Sequence, residues 1–132
     1  MGQSSSTPPR PPLSEESKKI AEEVKRHPVV VYTKDGCGYC VMAKNELYED
    51  GIKYTEKNLN AIAQVNPDGV QAYLQGLVDL TRQKTVPQIF VCGKFLGGYT
   101  ELHAARPNLA TILETCSVDN GETLRREFAA KI

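Results

Sequence analysis

Apolar positions along the chain recur with a few recognisable spacings, and these spacings predict its elements. Ser14, followed by Glu15 and Glu16 and then by Ile20, Ala21 and Val24, reads as a capped amphipathic helix that His27-Pro28 closes. Val29-Val30-Val31-Tyr32 is an unbroken apolar run and predicts a buried strand. Cys40, Ala43 and Leu47 recur at helical spacing, and Gly51 stops that helix. Ile52 to Asn58 alternates in part, as a second strand would. Asn66-Pro67-Asp68 has the cap-then-proline order of a helix start, and Val70, Tyr73, Leu74 and Leu77 then form a core stripe with Gln71 at its edge.

Pro87 heads the next apolar strand, a position that tolerates a residue without an N–H. Gly93-Lys94 reads as a hairpin turn into Phe95-Leu96, and Gly97-Gly98 breaks that strand. Thr100 is expected to cap a short helix ending near Arg106. Pro107 is expected to start the last core helix, with Leu109, Ile112, Leu113 and Cys116 on one face. Cys116, and Cys92 at a strand end, read as small buried hydrophobes. His27 reads as a helix-end residue and His103 as a surface one.

Composition refines this outline. The 132 residues suffice for one domain with a core, assigned to 14–116, between a Ser/Pro-rich tail at 1–13 with nothing to bury and an extension at 117–132 that has helical character around Leu124 and Phe128. Sixteen basic residues balance sixteen acidic ones, which argues against general nucleic-acid binding. Four cysteines are too few for a secreted disulfide scaffold, and no apolar signal region opens the chain, so the expected compartment is reducing and cytoplasmic. No apolar run is long enough to cross a bilayer. Met1-Gly2 with Ser6 fits the N-myristoylation pattern, which makes Gly2 a lipidation candidate with weak membrane attachment, against the plain reading of a flexible tail.

The chemistry concentrates at Lys34-Asp35-Gly36-Cys37-Gly38-Tyr39-Cys40, between a strand and a helix. Two cysteines two residues apart at such a joint suit two-electron thiol exchange. Cys37 is expected at the helix's open end, where unpaired N–H groups favour an anion, and Cys40 one turn in, facing the core. A free thiol with a pKa of about 8.5 is only a few per cent thiolate at neutral pH, so a reactive one needs help. The helix terminus supplies roughly 0.3 to 2 kcal/mol. Lys34, three residues before Cys37, is the candidate activating ammonium; at about 6 Å it adds at most roughly 3 kcal/mol. A Cys-x-x-Cys pair also serves zinc, but this chain has one pair and two isolated cysteines.

Strand, helix, strand, helix, hairpin and helix around a dithiol specify an α/β domain of thioredoxin type. The residues resemble the glutaredoxin family over about 28–116, through Lys34 before Cys37-Gly38-Tyr39-Cys40, through Thr85-Val86-Pro87, and through Gly97-Gly98-Tyr99-Thr100-Glu101. That resemblance implies a thioredoxin-like fold with a four-stranded mixed sheet flanked by helices. It also implies glutathione-dependent reduction of protein-glutathione mixed disulfides and disulfides, with Cys37 as nucleophile, Cys40 as resolving thiol and Pro87 as a cis-proline facing them. Glutathione is then the cofactor, and glutathionylated or disulfide-bonded proteins are the partners of a monomer. By the same resemblance glutathione meets Lys34 and Gln71 at its glycyl carboxylate, Tyr39 along its side, Thr85, Val86 and Pro87 along its backbone, and Gly98, Tyr99, Thr100 and Glu101 at its γ-glutamyl end. Glu101 stands where the family more often has Asp, and Gly38 where it more often has Pro. Glutaredoxins without that proline include members that bind a 2Fe-2S cluster between two protomers. The resemblance thus carries a second reading, an iron-sulfur carrier or redox sensor that uses Cys37 and glutathione from each of two copies.

Overall fold

The computed structural model describes residues 13–116; the tail with Gly2 and the extension with Leu124 and Phe128 lie outside them. The elements in chain order are α1 (Glu15–Val24), β1 (Val29–Thr33), α2 (Gly38–Glu49), β2 (Thr55–Asn58), α3 (Leu59–Val65), α4 (Val70–Thr81), β3 (Gln88–Val91), β4 (Lys94–Gly97) and α5 (Tyr99–Glu114). They build one mixed sheet in the order β2-β1-β3-β4, with β1 parallel to β2 and antiparallel to β3, and β3 antiparallel to β4.

The apolar run at β1 explains the layering. All five of its residues are buried, and because successive side chains point to opposite faces, Val29 and Val31 join one core while Val30 and Tyr32 join another. On the first face α2 and α5 contribute Ala43, Leu47, Leu102, Leu109 and Leu113. On the second, α1 and α4 contribute Ile20, Val24 and Leu77. The close approach of α1 to α4 depends on Gly76: a Cβ there would lie 2.9 Å from Glu16 Cβ, and the Ser17 hydroxyl donates to the Gly76 carbonyl at 2.7 Å.

Several expected boundaries move. The second strand begins only at Thr55, although Ile52 is buried as its pattern implied. Helix α3 follows it directly, capped by Asn58, whose Oδ1 accepts from Ala61 N at 3.0 Å. Asn66 ends α3 and does not open α4; its Oδ1 accepts from Gly69 N at 3.2 Å in the turn, and Gly69 is the N-cap of α4. The expected break at Pro107 does not occur. A single helix α5 runs through it, because Leu102 before the proline and Leu109 and Leu113 after it bury into the same core and outweigh the roughly 3 kcal/mol that an internal proline costs. Ile112 is 41% exposed and so leaves the predicted core face.

The two outlying cysteines are not isolated. Cys92 and Cys116 are disulfide-bonded, with Cα atoms 5.3 Å apart, and tie the hairpin turn to the end of α5. The turn itself is Cys92-Gly93, both at positive φ (56° and 80°), one residue earlier than predicted.

Candidate active site

Helix α2 starts on a cysteine. Cys37 is the N-cap, in extended conformation, and its Sγ accepts from Cys40 N at 3.2 Å, so a helix-terminal N–H points at the sulfur. Cys40, 2% exposed, is the inner partner, and the two are disulfide-bonded with Cα atoms 5.2 Å apart. Gly36, at φ 72°, turns the chain from β1 into this cap. Asn58 and Asn60 hold that turn from the far side, Asn58 Nδ2 donating to Asp35 Oδ1 at 3.0 Å and Asn60 Oδ1 accepting from Asp35 N at 2.7 Å. These two brace residues were not singled out in the sequence, although an Asn before a helical segment is a readable cap signal.

Beside Cys37 runs a groove of about 220 Å³ lined by Tyr39, Gln83, Thr85, Val86, Pro87, Gly98, Tyr99, Thr100 and Glu101. Cys37 Sγ lies 3.6 Å from the Val86 carbonyl oxygen, and the Val86–Pro87 bond is cis. Eight of the residues named from the sequence thus share one groove, with the dithiol at its edge. Lys34 and Gln71 are exposed and are not among its lining residues.

Gln83 is the lining residue that the sequence reading missed. Its Nε2 donates to the carbonyls of Thr85 (2.9 Å) and Pro87 (3.2 Å), and Gln88 Nε2 donates to those of Gln83 (2.7 Å) and Thr85 (3.1 Å). Two side-chain amides thereby fix the loop that carries Val86. No apolar period marks them, because both are polar residues that bond backbone carbonyls, Gln88 from a buried position in β3.

Thr100 is not the cap of the following helix. Gly98 is, and Glu101 Oε1 accepts from Gly98 N at 2.7 Å. A Cβ on Gly97 (φ 137°) would lie 2.6 Å from Glu101 Cγ, so the first glycine makes room for this reach. The Glu101 carboxylate is therefore engaged by its own helix start.

Tyr99 opens α5 and leans on two rings, Tyr39 and His103, each with its centroid 5.7 Å away. Its hydroxyl donates to Glu46 Oε2 of α2 at 2.7 Å, and the same carboxylate takes His103 Nδ1 at 3.0 Å and Arg106 at 3.4 Å. Burial would raise the Glu46 carboxyl, but the hydrogen bonds from Tyr99 and His103, with the charges of His103 and Arg106, outweigh it and hold the group below the usual carboxylate range.

Among the described residues no group of three or more His, Cys, Asp or Glu gathers to hold a metal ion. The four cysteines do not converge, since Cys92 follows Val91, which pairs with Val29 at the start of β1, whereas Cys37 lies beyond its end.

The sheet order, the cis-proline loop and a dithiol capping α2 define a protein of thioredoxin-like fold. The glutaredoxin family model matches residues 29–96, and the chain belongs to that family. It is 30% identical over 112 residues to human "Glutaredoxin-2, mitochondrial", with 83% of this chain and 64% of that protein covered. It is 39% identical over 83 residues to "Glutaredoxin-C5, chloroplastic" of Arabidopsis thaliana, with 62% and 45% covered. The chain thus spans less than two thirds of the length of either relative. Among solved structures, a buckwheat glutaredoxin-glutathione complex superposes with a TM-score of 0.63 at 28% identity, covering 78% of this chain and 96% of that one. The relatives' names give organelles for those proteins and lend no support to the cytoplasmic expectation.

Proposed function

We propose that the chain is a glutathione-dependent thiol-disulfide oxidoreductase that reduces protein-glutathione mixed disulfides and protein disulfides. The observation that carries this reading is the position of Cys37 Sγ, at once the acceptor of a helix-terminal N–H and 3.6 Å from the Val86 carbonyl that lines the groove. With the dithiol reduced, the Cys37 thiolate attacks the glutathione sulfur of a mixed disulfide and the protein thiolate leaves, taking up a proton. A second glutathione thiolate then attacks the glutathione sulfur now bonded to Cys37, releasing oxidised glutathione and restoring the thiolate. For a protein disulfide, the Cys37 thiolate attacks one sulfur and expels the other as a thiolate; Cys40 then attacks the Cys37 sulfur, the second protein thiolate leaves, and two glutathiones reopen the resulting Cys37–Cys40 bond with release of oxidised glutathione.

Tyr39, Thr85, Val86, Pro87, Gly98, Tyr99 and Thr100 are the groove contacts in this proposal. The solved buckwheat complex supports glutathione as the occupant, since it shows a related fold bound to that tripeptide. Lys34 and Gln71 meet the ligand's carboxylate only by reaching in from outside the lining residues. Glu101 acts through the Gly98 N–H it already holds. The names of the human and Arabidopsis relatives support an organelle over the cytoplasm as its location.

The test is a glutathione-coupled reductase assay on a small mixed disulfide, using Cys37→Ser and Cys40→Ser. Loss of activity in Cys37→Ser with much retained in Cys40→Ser is expected. Equal loss in both shows the roles to be misassigned, and no activity with glutathione in the parent chain overturns the reading.

A further inference from the structure

Tyr39 is 62% exposed, yet its ring is packed against another that is anchored at its far end. The anchor is Glu46, a carboxylate in a side chain only 12% exposed between α2 and α5, which gathers three α5 residues spaced along one helix face: Tyr99, His103 and Arg106. Tyr99 is the first residue of α5, next to Gly98, Thr100 and Glu101 of the groove. Its ring is thus fixed at three points: the hydroxyl by Glu46, and the two ring contacts by Tyr39 and His103.

A surface tyrosine between two active cysteines ordinarily samples several rotamers, and ordering such a side chain costs free energy when a ligand arrives. A wall that is already in place avoids that cost. We propose that Glu46 is a positioning residue for ligand capture: by holding the Tyr99 hydroxyl it fixes the Tyr39–Tyr99 pair as a preset aromatic wall of the groove, without touching ligand or sulfur itself. This rests on the glutathione reading above for the identity of the ligand, but the preset wall is a property of the chain alone.

Hydrogen bonds of this kind contribute about 0.5 to 1.5 kcal/mol net, which converts to a roughly two- to twelve-fold change in an affinity. The effect should therefore appear in KM. Tyr99→Phe, which keeps the ring and removes only the hydroxyl, is expected to raise KM for a glutathionylated peptide within that range while leaving kcat and the pH profile of Cys37 alkylation in place. Glu46→Leu should do the same, Glu46→Gln should recover most of the loss through its amide oxygen, and the double variant Glu46→Leu/Tyr99→Phe should be no worse than the poorer single one.

Ring contacts are read separately by nuclear Overhauser effects between the Tyr39 and Tyr99 rings, expected in the parent chain and lost in Glu46→Leu. Those contacts persisting in Glu46→Leu, or an unchanged KM in Tyr99→Phe, or additive losses in the double variant, would overturn the proposal and leave Glu46 as a structural tie between two helices. If the parent chain shows no activity with glutathione, the ligand assignment fails while the ring contacts still decide the role of Glu46.

Discussion

On each face of the sheet a glutamate gathers polar side chains, two tyrosine hydroxyls at Glu23 and one at Glu46, and the far ends of the two clusters differ. Behind the α1/α4 face, Glu23 Oε1 accepts from Tyr73 at 2.8 Å and Tyr32 at 3.4 Å, the two hydroxyls lie 2.8 Å apart, and Lys57 pairs with the same carboxylate at 3.5 Å. Burial is the main reason both phenols are pushed far above their ordinary range. Behind the α2/α5 face, Glu46 collects Tyr99, His103 and Arg106. The ingredients are alike, but Tyr32 and Tyr73 end in a core whereas Tyr99 ends in a groove. A polar cluster is read through whatever its far end touches: one set holds helices to a sheet, and the other shapes a binding wall.

Perturbing each face should separate the two roles. The largest effect on stability is expected from Cys92→Ser, which opens the link between the hairpin turn and the end of α5. With the partners 24 positions apart in sequence, chain entropy alone puts the loss at roughly 3 to 4 kcal/mol, seen as a lower unfolding midpoint without reductant. The groove should keep its KM at a temperature where the variant is folded, because the link lies at the other end of the sheet. Gly76→Ala comes next: the added methyl meets Glu16 and outweighs the gain in helix propensity, for about 1 to 3 kcal/mol in urea unfolding. Tyr73→Phe should cost about 1 to 2 kcal/mol of stability and leave KM unchanged, the reverse of Tyr99→Phe. A changed KM in Tyr73→Phe would break the comparison.

The smallest effect is a pH dependence. Because the Glu46 carboxyl sits below its ordinary value in the folded chain, the stability it contributes is present above the unfolded value of 4.5 and is lost as pH falls through the folded one. Acid unfolding of Glu46→Gln should lack that part of the slope. An identical acid limb in both proteins would show that the carboxylate is not held in its charged form.

Legibility in the sequence followed physical type. Strands and helix stripes declared themselves because β1, α2 and α4 are built on apolar period, and three short motifs placed eight lining residues in one groove. Features that rest on polar bonding across the fold were not legible. The brace of Asn58 and Asn60, the amides of Gln83 and Gln88 behind the Val86 loop, and the gathering of α5 side chains by Glu46 join residues remote in sequence or bond backbone, and neither leaves a period. Glu46 even occupies a position that the stripe of Cys40, Ala43 and Leu47 does not use. Pro107 misled for the opposite reason: a strong local rule was overridden by packing on both sides of it. The pairing of Cys92 with Cys116 was hidden because connectivity has no sequence signature.

The proposed thiol exchange requires Cys37 to be an anion at the start of α2. Its titration can be followed directly, as the pH dependence of alkylation by iodoacetamide in reduced Cys40→Ser protein. A midpoint a unit or more below the roughly 8.5 of an ordinary thiol is the predicted result. A midpoint at or above that value would contradict it, since the Cys40 N–H, the helix end and the groove would then leave the sulfur no more reactive than any other.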